Sequence, residues 1–360
     1  MPVSVLIAGA SGLVGAAAID SFLDDGWDVV AVSRRRPEVV SDRPFRHLPL
    51  DLRDPAPEDI RSLSDVTHVV YAAVHEKPGL VAGWRDPDQM TTNEAMLRNL
   101  IDPLSEVAEL RHVSLLQGTK AYGIHLHPIR IPARERHPRD DHPNFYWLQE
   151  DYLNARAAER GFTVTIFRPQ LIVGPNTGVV MNLPPVIGAY AAISAEEGLP
   201  FAFPGSVGHV WEAVDCRLVA GALRWAATEP AAAGQHYNLT NGEVFSWQDL
   251  WPAMAEELGV PLGPDRPTHL ASYLPERAEV WDRIVQRHGL RPIPLPDLLG
   301  ESHHYADFCF AYGATEAPPP AFVSTVKIKQ AGFTDTWDTE ESFRHWLRVL
   351  IDRRVLPRLG

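Results

Sequence analysis

The chain has 360 residues, with 33 lysines and arginines against 46 aspartates and glutamates, so its formal net charge is −13. Hydrophobic residues make up 45% and charged residues 22%, a balance typical of a folded globular protein and unlike that of a disordered chain. The acidic balance argues against a nucleic-acid-binding protein, and no apolar run approaches the roughly 20 residues that span a bilayer. We expect two lobes or one large α/β domain.

The two cysteines and the first residues of the chain bear on its cellular compartment. Cys216 and Cys309 are too few for a disulfide framework, which fits a reducing environment. The chain enters its first apolar run without a basic segment, so we expect no signal peptide. These features predict a cytoplasmic protein that binds neither membrane nor nucleic acid.

Strands and helices alternate through the first half of the sequence. The short apolar runs that predict strands lie at residues 3–8, 27–32, 48–52, 67–73, 112–117 and 163–167. Helical patterns lie at residues 16–23 and 93–110, and later at 215–228 and 246–258, whereas the proline-rich residues 290–299 look like a loop or the edge of a lobe. The alternation implies right-handed βαβ units and predicts an α/β fold with a Rossmann-like, doubly wound parallel sheet.

A glycine-rich turn follows the first predicted strand. Gly9, Gly12 and Gly15 form G-x-x-G-x-x-G and lead directly into the first predicted helix. Glycines in this context allow a tight turn and a close backbone approach, while the helix N-terminus faces a pyrophosphate. Because the turn lies between a strand and a helix, it predicts a dinucleotide site rather than an ordinary βα turn.

The end of the second strand indicates which dinucleotide is bound. NAD-preferring sites usually carry a carboxylate there, which holds the ribose 2′-hydroxyl. This chain instead has Ser33, Arg34 and Arg35, and guanidinium groups match a 2′-phosphate bidentately. The sequence therefore predicts NADPH/NADP as the cofactor.

The expected domains follow from this site. We assign residues 1–175 to an NADP-binding Rossmann domain, to which segments around 205–245 return. Residues 176–360 are expected to form mainly a smaller, interleaved C-terminal lobe that binds the substrate.

The usual catalytic pattern of short-chain reductases is missing. Those enzymes place a lysine four residues after a tyrosine on one helix, but here Tyr146 is followed at that spacing by Glu150. A carboxylate in that place would raise the pKa of the tyrosine. Lys120, just beyond the strand at residues 112–117, is a candidate cation, because the carboxyl ends of strands line the cofactor crevice.

Several segments together resemble the progesterone 5β-reductase and iridoid synthase-like reductases, which are atypical extended short-chain dehydrogenases. They are the glycine turn, Ser33-Arg34-Arg35, the element at residues 116–122, Asn-Phe-Tyr-Trp-Leu-Gln-Glu-Asp at 144–151, residues 168–174 and 237–247, the region around 332–333 and the helix at 342–352. The resemblance covers nearly the whole chain. It implies that Lys120 and Tyr146 are the catalytic pair.

The resemblance also implies a cofactor site and a reaction. The implied and assigned cofactor residues are Gly9, Ser11, Gly12, Leu13, Gly15, Ser33, Arg34, Arg35, Asp51, Leu52, Ala73, Gln117, Ile172 and Met181. The family's glutamine in the lysine motif aligns either with Leu116 or, after a one-residue shift, with Gln117. The implied reaction is reduction of the C=C bond of a small hydrophobic α,β-unsaturated carbonyl compound, and a homodimer is consistent with the resemblance.

Alternatives remain at this stage. Tyrosine–lysine chemistry also serves carbonyl reductases and sugar-nucleotide epimerases, and an NADP(H)-binding sensor without chemistry would need only the nucleotide half of the site. His125 and His127 have no supporting ligands at a suitable spacing, so we expect no metal site.

Overall fold

The computed structural model describes residues 3–77 and 83–360. Its strands are β1 Ser4–Ala8, β2 Asp28–Ser33, β3 Arg46–Pro49, β4 His68–Tyr71, β5 His112–Leu116, β6 Thr163–Pro169, β7 Leu171–Val173, β8 Val210–Trp211, β9 Ala213–Asp215, β10 Gln235–Leu239 and β11 Phe245–Ser246. Its α-helices are α1 Leu13–Asp24, α2 Pro57–Arg61, α3 Pro87–Val107, α4 Phe145–Arg160, α5 Pro184–Glu196, α6 Cys216–Thr228, α7 Trp247–Leu258, α8 Leu270–Tyr273, α9 Ala278–His288, α10 Leu295–Leu299, α11 Ser302–Cys309, α12 Val326–Gln330 and α13 Thr339–Asp352.

The main sheet has seven parallel strands in the order β10-β6-β5-β4-β1-β2-β3. Strand order reverses between β1 and β4, since β2 and β3 extend the sheet on one side and β4, β5 and β6 on the other. The predicted α/β fold with a Rossmann-like, doubly wound sheet is confirmed. In such a sheet, ligands bind beyond the carboxyl ends of the strands at the reversal point.

Apolar residues of the central strands explain why the sheet is buried. Every residue of β1 is buried, and strands covered on both faces are expected to be apolar throughout. A core cluster joins strand residues such as Leu6, Val69 and Leu115 to helix residues such as Leu100 and Leu153. This packing holds α3 and α4 against the sheet.

The elements predicted in the N-terminal half are present, although the strand expected at residues 48–52 is found at Arg46–Pro49. The helices expected at residues 215–228 and 246–258 are present as α6 and α7. The expectation of a loop at residues 290–299 is wrong for its second half, which forms α10. A proline at the second position of a helix is tolerated, because the missing N–H would have no partner in the first turn, and this explains the error.

The chain divides into two compact units. One comprises Met1–Gln170, Cys216–Leu239 and Val323–Asp335 and contains the seven-stranded sheet. The other comprises Leu171–Asp215, Thr240–Phe322 and Thr336–Gly360, with two small sheets, β7-β9 and β8-β11, and an aromatic core around Phe310. The roles expected for the two lobes, cofactor binding and substrate binding, stay predictions.

None of the helices in the described residues is long and apolar enough to cross a membrane.

Candidate active site

The glycine turn connects β1 to α1 and is tied to the neighbouring strand. The amides of Gly9 and Ala10 donate to the Val32 carbonyl at 3.0 and 3.2 Å. Gly9 has a φ of +79°, and a Cβ there would lie 2.7 Å from the backbone of Ala72 and Ala73. Only glycine combines this left-handed conformation with so close an approach. The turn is therefore held where β1, β2 and β4 end.

Helix α1 begins immediately after this turn. Its cap residue, Gly12, contributes no side-chain hydrogen bond, and the first turn carries no acidic residue. The N–H groups at a helix start carry partial positive charge and need acceptors, which makes them suited to an anion. Gly9, Gly12, Leu13 and Gly15 therefore fit the pyrophosphate of a dinucleotide.

Three exposed arginines follow the end of β2. Ser33 is buried, and its Oγ donates to the Arg35 carbonyl at 2.6 Å. The Nε2 of His47 on the adjacent β3 lies 3.1 Å from the Ser33 carbonyl, which further fixes the turn. Arg34, Arg35 and Arg36 are all exposed, and the guanidinium of Arg36 lies 5.0 Å from the centre of the Phe45 ring. Arg34 and Arg35 are therefore the first two cations beyond β2, directly after the anchored Ser33.

Asp51 follows β3 and is held by Arg53, two residues further along the chain. Arg53 donates to its carboxylate with Nε at 3.0 Å and with a terminal nitrogen at 2.6 Å. These hydrogen bonds lower the pKa of Asp51 to about 2; burial opposes the change, and the charge of Arg34 adds to it. Arg34 therefore acts on the same patch as Asp51 and Arg53.

The remaining predicted cofactor residues lie in different surroundings. Leu52 is buried, and Ala73 lies at the backbone that Gly9 approaches. The Gln117 side chain is buried in a polar cluster near Tyr146. Ile172 and Met181 belong to the other compact unit. Cofactor contacts of these residues and of Ser11 stay predictions.

Lys120 lies in a short 3₁₀ turn, Thr119–Tyr122, directly beyond β5. The turn is anchored on both sides, since Thr119 Oγ1 donates to Gln170 Oε1 at 2.8 Å and the Tyr122 hydroxyl donates to Asn238 Oδ1 at 2.7 Å. Lys120 is therefore carried by a fixed segment at the carboxyl edge of the sheet.

Tyr146 lies in the first turn of α4. Asn144 caps this helix, because its Oδ1 accepts from the Tyr146 amide at 3.0 Å, while its Nδ2 lies 3.4 Å from the Lys120 carbonyl. The Tyr146 hydroxyl lies above Gly118, where an added Cβ would come within 3.2 Å of it. The predicted catalytic residues are thus joined through one side chain, Asn144.

An aromatic ring, Trp84, contacts both of them. The Lys120 Nζ lies 3.9 Å from the centre of the Trp84 ring, and the Tyr146 ring meets the same indole edge-on at 5.3 Å. Trp84 also donates through Nε1 to Glu76 at 2.9 Å. Nothing in the sequence pattern singled out Trp84, since it lies outside the segments that carry the resemblance.

Tyr146 remains protonated in this environment. Burial raises the pKa of its phenol above the ordinary value, the negative charge of Glu76 adds to the increase, and Arg168 partly offsets it. A phenol that keeps its proton can donate a hydrogen bond to a substrate oxygen. The site therefore offers a protonated hydroxyl and an ammonium group beside the edge where a dinucleotide fits.

Comparison with known proteins agrees with this geometry. Residues 5–240 match the model of the NAD dependent epimerase/dehydratase family. The chain is 30% identical to an (S)-8-oxocitronellyl enol synthase of Antirrhinum majus over 98% of the chain and 92% of that protein. It is 31% identical to the enol synthase CYC2 of Camptotheca acuminata over 81% of the chain and 79% of that protein.

Solved structures show the same fold. A UDP-glucose 4-epimerase from Thermotoga maritima superimposes with a TM-score of 0.68 at 16% identity, over 97% of this chain and 99% of that one. The Thermus thermophilus UDP-glucose 4-epimerase in complex with NAD gives a TM-score of 0.64 at 18% identity, over 96% and 98% of the two chains.

The chain belongs to the NAD dependent epimerase/dehydratase family of extended short-chain dehydrogenases. Its resemblance to the progesterone 5β-reductase and iridoid synthase-like reductases is confirmed by the enol synthase relatives. It is an NAD(P)-dependent oxidoreductase that acts on a small molecule, and the prediction of a nicotinamide dinucleotide cofactor is confirmed.

Proposed function

We propose that this protein is an NADPH-dependent reductase of the C=C bond of α,β-unsaturated carbonyl compounds. The observation that carries the proposal is the placement of Lys120 and Tyr146 against one indole ring at the carboxyl edge of the sheet. The names of the enol synthase relatives support it. The exposed Arg34 and Arg35 support NADPH over NADH, because the carboxyl end of β2 carries Ser33, Arg34 and Arg35 where an NAD site usually has a carboxylate for the ribose 2′-hydroxyl.

The main requirement of the proposed reduction is to stabilise negative charge on the carbonyl oxygen of the substrate. NADPH, when bound, supplies the hydride that adds to the β-carbon of the substrate. Charge then develops on the carbonyl oxygen, and the Tyr146 hydroxyl donates a hydrogen bond to it. The Lys120 ammonium adds a positive charge nearby, so both groups stabilise charge that is larger in the transition state than in the substrate. A proton from water then adds at the α-carbon, which converts the enolate to the saturated carbonyl compound.

The aromatic surroundings strengthen this effect. Trp84, Phe145 and Tyr146 belong to one buried cluster. An electrostatic interaction is stronger where water is excluded. The same apolar walls suit a hydrophobic enone or enal.

The deciding experiment identifies the product. Purified protein is incubated with NADPH and a panel of 2-enones, enals and saturated ketones, and the products are identified by mass spectrometry. A saturated ketone or aldehyde is expected from the enone or enal. An allylic alcohol would instead indicate a carbonyl reductase, and tight NADPH binding without turnover would indicate a sensor.

The Tyr146→Phe variant tests the proposed donor. Loss of one donor to an oxyanion slows turnover roughly 10²–10³-fold, so we expect a loss of that size with unchanged NADPH affinity. Tyr152→Phe is the matched control on the same helix, since the Tyr152 hydroxyl donates to Asp102 at 2.6 Å. Equal losses in the two variants would contradict the role of Tyr146.

Two wider expectations also remain proposals. A homodimer would be measured by light scattering of the purified protein, and a cytoplasmic location by fractionation of cells that express it.

A further inference from the structure

The position that carries lysine in most short-chain reductases holds a buried carboxylate here. Glu150 lies one helical turn after Tyr146 on α4, with 5% of its surface exposed. Burying an unpaired charge is costly, so such a group persists only when it is surrounded by donors. The reaction proposed above does not use it.

Donors reach Glu150 from several segments. An Arg139 terminal nitrogen lies 2.8 Å from Oε1, and His236 Nε2, on β10, lies 3.1 Å from the same oxygen. Gln117 Nε2, just beyond β5, donates to Oε2 at 3.0 Å, and an Arg168 nitrogen on β6 lies 3.8 Å away. The carboxylate is therefore held from the loop before α4, from the residue that follows β5, and from strands β6 and β10.

These donors keep Glu150 ionised. Burial acts to raise its pKa, but the nearby His236 and the hydrogen bonds from Arg139 and Gln117 outweigh it and hold the pKa at about 2. The carboxylate is thus negative across the pH range in which the enzyme would work.

Gln117 connects this cluster to Tyr146. Its Nε2 lies 3.4 Å from the Tyr146 carbonyl as well as 3.0 Å from Glu150, and its Oε1 accepts from Arg168 Nε at 3.0 Å. A rigid chain of buried side chains therefore runs from β6 through Gln117 to the turn of α4 that carries Tyr146. It limits rotation of this turn about the helix axis, which would move the hydroxyl away from its place above Gly118.

We propose that Glu150 is a positioning residue for Tyr146, fixing the start of α4 against the carboxyl ends of β5 and β6 through Gln117, Arg139, Arg168 and His236. This inference rests on the proposed function, because its main consequence is for hydride transfer. The carboxylate takes the place of the usual lysine in sequence but not in chemistry, since it is negative and is enclosed by the protein's own side chains.

The test is Glu150→Gln, with Glu159→Gln as the matched control. Glu159 lies on the same helix and pairs at the surface with Arg156 at 2.8 Å. Misplacement of a catalytic group by about 1 Å costs roughly a hundredfold, so we expect kcat of Glu150→Gln to fall roughly tenfold to a hundredfold. The KM for NADPH should stay within about twofold, because the glycine turn is untouched. The isotope effect with NADPH deuterated at the transferred position should rise, because the chemical step becomes slower.

A second pair of variants covers the case in which Glu150→Gln does not fold. Arg139 bonds both Glu150 at 2.8 Å and the exposed Asp151 at 2.7 Å. Arg139→Gln removes a partner of Glu150 at the cluster's half-exposed edge, and should lower kcat severalfold with the same unchanged KM. Asp151→Asn removes only the outer partner and should leave kcat unchanged. Equal kcat values for Arg139→Gln and Asp151→Asn would overturn the inference, as would a Glu150→Gln enzyme with wild-type kcat.

Hydrogen exchange separates this inference from the proposed function. The peptide covering residues 145–150 should exchange faster in Glu150→Gln than in the wild type or in Glu159→Gln, whether or not an enone is reduced. If the wild type reduces no enone but this difference is seen, the proposed function fails and the positioning of Tyr146 by Glu150 stands. If the exchange is unchanged, the inference fails even when the enone is reduced.

Discussion

Two carboxylates of the same compact unit, Asp51 and Glu150, have a pKa of about 2 for different reasons. Asp51 lies at the nucleotide end of the site, by which we mean the glycine turn and the ends of β2 and β3. Its side chain is 35% exposed and forms hydrogen bonds mainly with Arg53 from its own loop. Glu150 lies at the catalytic end of the site, by which we mean the surroundings of Lys120 and Tyr146. It is buried and is held by side chains from other segments of the chain, such as Arg139 and His236. An equal pKa therefore does not imply an equal contribution to stability, because water and salt screen the exposed pair.

The largest difference between the two carboxylates is expected in acid. The folded pKa of Glu150 lies below its ordinary value of 4.5, so its contribution to the free energy of unfolding is fully present above about pH 4.5 and is lost as the pH falls towards 2. The shift from 4.5 to about 2 corresponds to about 3 kcal/mol. Urea unfolding at pH 3 and pH 6 should show that Glu150→Gln is less sensitive to acid than the wild type by about 2 kcal/mol, because pH 3 still lies above the folded pKa.

Asp51→Asn is the comparison for this measurement. The Asp51 carboxylate contributes to the free energy of unfolding with the same sign as Glu150. This contribution is present above about pH 3.8 and is lost towards pH 2. An exposed ion pair contributes only about 0–1 kcal/mol, so the change should be small and should shrink further in 0.5 M salt, a concentration at which the Debye length is roughly 4 Å. Equal acid sensitivity in Glu150→Gln and Asp51→Asn would mean that water and salt screen the buried ion pairs of Glu150 as strongly as the exposed pair of Asp51.

A second prediction concerns the cations of the nucleotide end. Loss of a charge-assisted hydrogen bond to phosphate costs about 2 kcal/mol, so Arg34→Ala should raise the KM for NADPH roughly thirtyfold without changing the KM for NADH. Arg36→Ala is the control, because its guanidinium lies over Phe45. The test is to measure the KM for NADPH and for NADH by steady-state kinetics in the wild type and in both variants. A parallel rise for NADPH and NADH would show that Arg34 does not recognise the 2′-phosphate.

The two ends also differ in how far the sequence could predict them. The glycine turn and the Ser33–Arg35 segment are contiguous in the chain, and their chemistry follows from local spacing. Lys120 and Tyr146 are 26 positions apart and depend on the family resemblance. The sequence pattern left Trp84 without a role and treated Glu150 only as a carboxylate with an unfavourable effect on Tyr146.

Long-range packing explains what was missed. The contacts of Glu150 with His236, and of Tyr146 with Trp84, join residues far apart in sequence, and no local periodicity encodes them. The fold was easier to predict, because alternating strands and helices are a local signal and the handedness of βαβ units restricts the topology.

Gly118 gives the smallest and most local test of the catalytic end. Its φ is −169°, an extended conformation open to any residue, so Gly118→Ala introduces no backbone strain. The added methyl group would lie 3.2 Å from the Tyr146 hydroxyl and would displace it by a few tenths of an ångström. We expect kcat to fall roughly tenfold, with unchanged NADPH affinity and thermal stability. Gly221→Ala in helix α6 is the control, because an added Cβ there would lie 3.7 Å from the Phe333 ring, an ordinary contact distance. Wild-type turnover in Gly118→Ala would mean that the hydroxyl does not act from its place above Gly118, and the kinetic role of Glu150 would lose its geometric basis.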